Sequence, residues 1–222
     1  MTETMITVQG RYSAFSPAER ATVTISAHLE GTERETVFRD TAASGERIRG
    51  LIEKRHDRTA GPVTRFSSDS VRVWSEKPWS SDGAQLPPVF HSRVVFSVTF
   101  RDFGDLSTFV EEVVAVDGAS VDGISWSLTE ASRAGRLAEV RSRAVKDAVA
   151  KAAVYAQSIG LGTVRAVAIA DQGMLGDSRS PGDAGPELAL MRAVASDSAP
   201  SLAFTPEDIE LEAVVDARFE AT

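Results

Sequence analysis

Apolar residues spaced two apart, and others spaced three or four apart, divide this chain into short strands and three helices. Ala21, Val23, Ile25, Ala27 and Leu29 alternate with Thr22, Thr24, Ser26, His28 and Glu30. That is a strand with one buried and one wet face. Residues 89–101 repeat the pattern, with Val94, Phe96, Val98 and Phe100 on one side. A polar, Pro- and Ser-rich stretch, residues 74–88, separates them from a strand at 63–73. Two strands around such a connection predict an antiparallel hairpin. Residues 5–10, 121–129 and 163–170 add short strands. Ile209, Leu211, Ala213, Val215, Ala217 and Phe219 alternate with mostly charged residues. They predict a solvent-faced last strand whose backbone is open to pairing between chains.

The helical spacings fall between these strands. Thr32 to Glu35 fits a capping box, so a helix is expected to about residue 54 with Val37, Thr41, Ile48, Leu51 and Ile52 inward. Asp105 is the expected N-cap of a second helix carrying Leu106, Phe109, Val110, Val113 and Val114. Asp117-Gly118 stops it. The longest helix spans about 131–159, with Leu137, Val140, Ala144, Ala148, Ala152, Tyr155 and Ile159 as one stripe. Gly160 supplies a left-handed stop. Residues 171–204, rich in Gly, Ser, Asp and Pro, read as a flexible loop. The fold class is α+β: a mostly antiparallel sheet with three helices packed on it. The chain reads as a single domain over 1–222, with two loosely similar halves at about 1–101 and 102–222.

Composition narrows the functions. The 222 residues carry a net charge of −8 with 25% charged residues. An acidic surplus argues against non-specific nucleic-acid binding, which needs a basic face, and against anionic lipid. There is no cysteine, so disulfides, thiolate catalysis and Cys-based metal sites are excluded. The opening MTETMITVQGRYSAF has neither a basic n-region nor an apolar h-region. No apolar run approaches a membrane span. On this reading the chain is cytoplasmic.

ITVQG, followed by RATVTISAHLEG, resembles the opening of the SIMPL domain family. VDGISWSLTE with the Ala- and Arg-rich helix after it, the strand TVRAVAIADQG, and the ending TPEDIELEAVVDARFEA resemble its later segments. The order and spacing of these pieces cover nearly the whole chain. The family includes a Brucella periplasmic immunogenic antigen and a kinase-associated signalling protein. The resemblance implies a bacterial α+β protein, often periplasmic or exported, without established catalytic residues. It also implies oligomers, since a relative forms a ring- or channel-like assembly.

No catalytic, cofactor or metal constellation is legible. His28, His56 and His91 lack convergent ligand spacing and read as surface or strand-face residues. There is no Gly-x-Ser-x-Gly elbow and no phosphate loop. Trp74, Trp79 and Phe90 flank the polar stretch. They either form an exposed aromatic patch for a partner or fold back over the sheet. Arg141 falls within the stripe of the long helix, where a charge must snorkel, pair with a carboxylate or face another subunit. The expectation is a non-enzymatic, self-associating scaffold or binding module, homo-oligomeric and open to a protein partner, with no nucleic acid and no cofactor. The alternative is a small-molecule binder or enzyme with a site under residues 171–201.

Overall fold

The computed structural model describes residues 4–175 and 204–222. In chain order the elements are β1 (Thr4–Ser16), β2 (Arg20–Gly31), α1 (Arg34–Glu53), β3 (Val63–Ser68), β4 (Arg72–Glu76) and β5 (Val89–Phe100). There follow α2 (Phe103–Val114), β6 (Ala119–Ser127), α3 (Glu130–Ser158), β7 (Val164–Asp171) and β8 (Ile209–Ala221). All strand pairings are antiparallel. The class is α+β with three helices, but the strands form two sheets where one was expected. Two compact units result. One gathers β1, α3, β7 and β8 from both ends of the chain, and the other holds the elements from β2 to β6. The units are therefore interleaved in sequence and do not follow a cut near residue 101. The expected loop at 171–204 begins at the end of β7, and residues 176–203 lie outside the described residues.

The central unit is a sheet of order β3-β5-β2-β6, with β4 continuing along the β5 edge past β3. The expected strand at 63–73 is thus broken in two, and Asp69 N–H donates to the Val95 carbonyl at the break (2.9 Å). The alternation fixes which face is dry. Val23 and Ile25 of β2 and Phe96, Val98 and Phe100 of β5 are buried together with Ile48 and Ile52 of α1 and Leu106, Phe109 and Val113 of α2. Neither expected N-cap forms. Glu33 stands at the start of α1 without accepting a helix N–H. Asp102, not Asp105, caps α2, accepting from Gly104 N–H (2.9 Å) and Asp105 N–H (3.1 Å).

Asp105 is instead drawn to Arg55, which ties the two helices together. The Arg55 guanidinium, only 12% exposed, donates to Asp105 (3.1 Å) and in a fork to Glu112 (2.7 and 3.2 Å). It also donates to the Leu51 carbonyl and lies over the Phe109 ring. The Glu112 hydrogen bond pushes the Arg55 pKa up, and Arg55 in turn holds the Glu112 carboxyl below its usual range. A carboxyl with a depressed pKa stabilises the fold above the ordinary carboxylate range and loses that contribution as pH falls through the depressed value. Arg55→Ala is expected to cost roughly 2–3 kcal/mol at neutral pH, as for charged hydrogen bonds. In urea unfolding the gap to the parent should begin to narrow as pH falls below about 4, down to what the Leu51 and Phe109 contacts contribute; a gap independent of pH would refute the clamp.

The second unit is a sheet of order β1-β8-β7. Its β8 strand pairs with β1 over its whole length and with β7 on the other side. It is thus the central strand, which corrects the expectation of an exposed, pairing-competent last strand. α3 lies on this sheet through Val140, Ala144, Ala148, Ala152 and Ala156. This row repeats every fourth residue, 40° further round the helix at each step. The buried line therefore drifts across the helix, and Ala156 takes the place expected for Tyr155. Tyr155 and Ile159, expected inward, are exposed. Thr129 caps the helix start by accepting from Ser132 N–H. At the other end Gly160 sits at φ 80°, with Leu161 N–H on Ala156 O and Gly160 N–H on Gln157 O, a Schellman stop.

Gly10 sets how close α3 comes. A Cβ there would overlap the Ala144 carbonyl oxygen and lie 2.7 Å from the Ala148 nitrogen. These are backbone atoms and cannot swing away. Gly10→Ala is expected to destabilise the protein by about 3 kcal/mol, the upper end of overpacking costs, as read by chemical denaturation. A loss below 1 kcal/mol would show that α3 is not seated this tightly.

Candidate binding face

Two-residue alternation that buries the odd positions of β2 sends the even ones to the opposite face. Register carries this to the neighbours: His28 pairs with Arg93, Trp74 with His91, Arg72 with Arg93, and Ser26 with Ser120. The face away from α1 and α2 thus collects Thr22, Thr24, Ser26, His28 and Glu30 from β2. His91 and Arg93 come from β5, Arg72 and Trp74 from β4, and Ser120 and Asp122 from β6.

Two linked groups form there. His28, Trp74 and His91 present near-parallel rings, 5.6 Å between His28 and Trp74, 5.2 Å between Trp74 and His91, and 5.6 Å between the imidazoles. Such offset stacking is favourable for π-systems. Trp74 remains 40% exposed. Glu30 approaches His91 Nδ1 at 3.4 Å without hydrogen-bond geometry. Beside the rings, Arg93 donates to Asp122 (2.5 Å) and to Ser26 (3.1 Å). Asp122 also accepts from Ser26 (3.1 Å) and Ser120 (3.0 Å). This network locks the head of Arg93 at one spot on the face.

The structure separates the three aromatic residues singled out in the sequence. Trp74 belongs to the ring cluster. Phe90 is next to His91 in β5 and so points to the helix side of the sheet, where it is half-buried. Trp79, 68% exposed, stands in a small turn of its own. There Trp79 bridges Gln85, and Leu86 N–H donates to Pro78 O. Arg141 is exposed on α3, in the row beside the buried alanines rather than within their stripe. It has no carboxylate at ion-pair distance among the described residues. His56 packs edge-on against Phe66, apart from the other two histidines.

The cluster escaped sequence reading because its members lie far apart in the chain and meet only through register. Parity was the available signal: His28 and His91 both fall on the polar phase of their strands. No helix among the described residues is long and apolar enough to cross a membrane.

These features define a class: an α+β protein of two helix-backed antiparallel sheets, one of which carries aromatic, arginine and hydroxyl side chains on the face away from its own helices. The family model named SIMPL, described as a protein of unknown function (DUF541), matches residues 6–219, and the chain belongs to that family. No curated protein matches the sequence.

Trp74→Ala is expected to cost only about 1 kcal/mol of stability, the scale of aromatic pairing at a part-exposed site. A loss of several kcal/mol in thermal or urea unfolding would mean that the ring is a core element rather than a presented one.

Proposed function

We propose that this SIMPL protein is a non-enzymatic, self-associating scaffold or binding module. The observation that carries the reading is the Trp74 cluster, with the anchored Arg93, on a sheet face that none of its own unit's helices covers. Exposed aromatic and arginine side chains held in fixed positions supply contact energy at little entropic cost. A flat wet face is suited to holding a partner and poorly suited to excluding water from a reaction.

Self-association is supported by the other unit. β1 and β7 are the edges of its sheet. At β1, α3 side chains already serve the strand's outer groups: Asp147 accepts from Arg11 N–H (2.8 Å) and Lys151 donates to Gln9 O (3.0 Å). Those contacts place the row of Arg143, Asp147 and Lys151 over β1. The opposite row, with Arg141 and Val149, therefore lies toward β7. There Val167 and Ile169 are 51% and 50% exposed, and Val149 is exposed as well. Apolar side chains on an edge strand, bordered by an arginine, suit an interface between copies.

Light scattering over micromolar concentrations tests this. The expected mass exceeds that of one chain and falls toward it in Ile169→Lys. A strict monomer would sink the assembly claim.

A further inference from the structure

We propose that the free edge of β4 receives an extended peptide segment of a protein partner, added to the sheet as a further strand. The segment carries apolar side chains toward the helices and acidic ones toward the open face. The proposal rests on the reading of the Trp74 face as a binding face, and it names the partner that face would hold.

The backbone comes first. β4 pairs with β5 along Arg72–Glu76, and no described strand pairs with its other side. It is short, with charged residues only at its two ends, and between them it contains no lysine, no proline and no bulge of the kinds that blunt an edge. An extended peptide laid along such an edge gains main-chain hydrogen bonds, and alternate side chains supply specificity.

One set of those side chains would fall beside Val73, on the helix side. A groove of about 350 Å³ lies there, lined by Arg34, Glu35, Phe38, Val71 and Val73. Phe38 is exposed at its wall, so a large aliphatic or aromatic side chain would cover surface now in water.

The other set would fall beside Arg72 and Trp74. Arg72 stands directly opposite Arg93, and like charges so placed repel. Arg93 is answered by Asp122. Arg72 has no carboxylate at ion-pair distance among the described residues. An acidic side chain on the added strand would complete this pair of arginines. A second copy of β4, paired antiparallel about Trp74, would set Glu76 opposite Arg72; it fits less well on the helix side, where Ser75 falls against Val73 and leaves the apolar groove unfilled.

The test pans the full chain against a random peptide display library and titrates the enriched peptides as synthetic ligands. The expected winners alternate apolar and acidic residues and slow amide exchange across residues 72–76. Backbone N-methylation at alternate peptide positions should weaken binding at least tenfold for one parity and little for the other. Arg72→Glu should reverse the acidic preference. Peptides that need Trp74 but ignore N-methylation overturn strand addition and leave the binding-face reading intact. No enrichment, or binding indifferent to both Trp74→Ala and Arg72→Glu, overturns both. Peptide-free self-association that Arg72→Glu abolishes makes a second copy the occupant and overturns the proposal.

Discussion

A β-sheet has two faces, and helices on one leave the other to be settled by different means. In the central unit α1 and α2 take the dry face of β2 and β5, and the opposite face must satisfy itself. It does so with cross-strand hydroxyl pairs such as Thr22 and Thr99 (3.1 Å) and with the Arg93, Asp122, Ser26 and Ser120 network. Those interactions consume polar groups locally and leave Trp74 and His28 exposed at one end of the face. The sheet of the other unit settles its wet face in the same way, through Gln9 with Asp216, Arg11 with Glu212 and Arg165 with Glu220. What distinguishes the central unit is a stacked aromatic cluster with Trp74 exposed and two arginines, Arg72 and Arg93, set directly opposite each other.

The long helix works by closeness. Small side chains every fourth residue, opposite Gly10, bring its backbone against β1. Its flanking charged row then reaches that strand's outer N–H and C=O groups. The Asp147 carboxyl is held below its usual range by Lys151 and by the Arg11 N–H, as expected for a carboxylate recruited to a strand edge. One edge is thereby closed, and the opposite edge, β7, carries the exposed apolar side chains. Arg141, which appears inside the stripe when helical angles are averaged, lies beside a stripe that drifts.

The fold was legible where one periodicity dominated. The alternation of β2 and β5, the three helices, and the stops at Gly118 and Gly160 all stand as read. Features decided between distant residues were not legible. Whether Asp102 or Asp105 caps α2 depended on Arg55, fifty residues away in the chain, claiming Asp105. The division into two sheets, the central place of β8 and the break between β3 and β4 depend on pairing, which local pattern does not encode. The candidate site was half visible for the same reason. Trp74 could be picked out alone, but His28, His91 and Arg93 gained meaning only when register set them beside it, Phe90 lost it when parity turned it to the helix side, and Arg141 belongs to the other unit.

Amide hydrogen exchange on the intact, unliganded chain tests most directly whether the central sheet keeps a free edge next to its aromatic face. β5 is paired on both sides and β4 on one. Alternate amides within residues 72–76 should exchange roughly a hundredfold or more faster than those of β5, as expected for unpaired groups on an edge. If all five were as slow as β5, the edge would already be covered and the account of this face would be wrong.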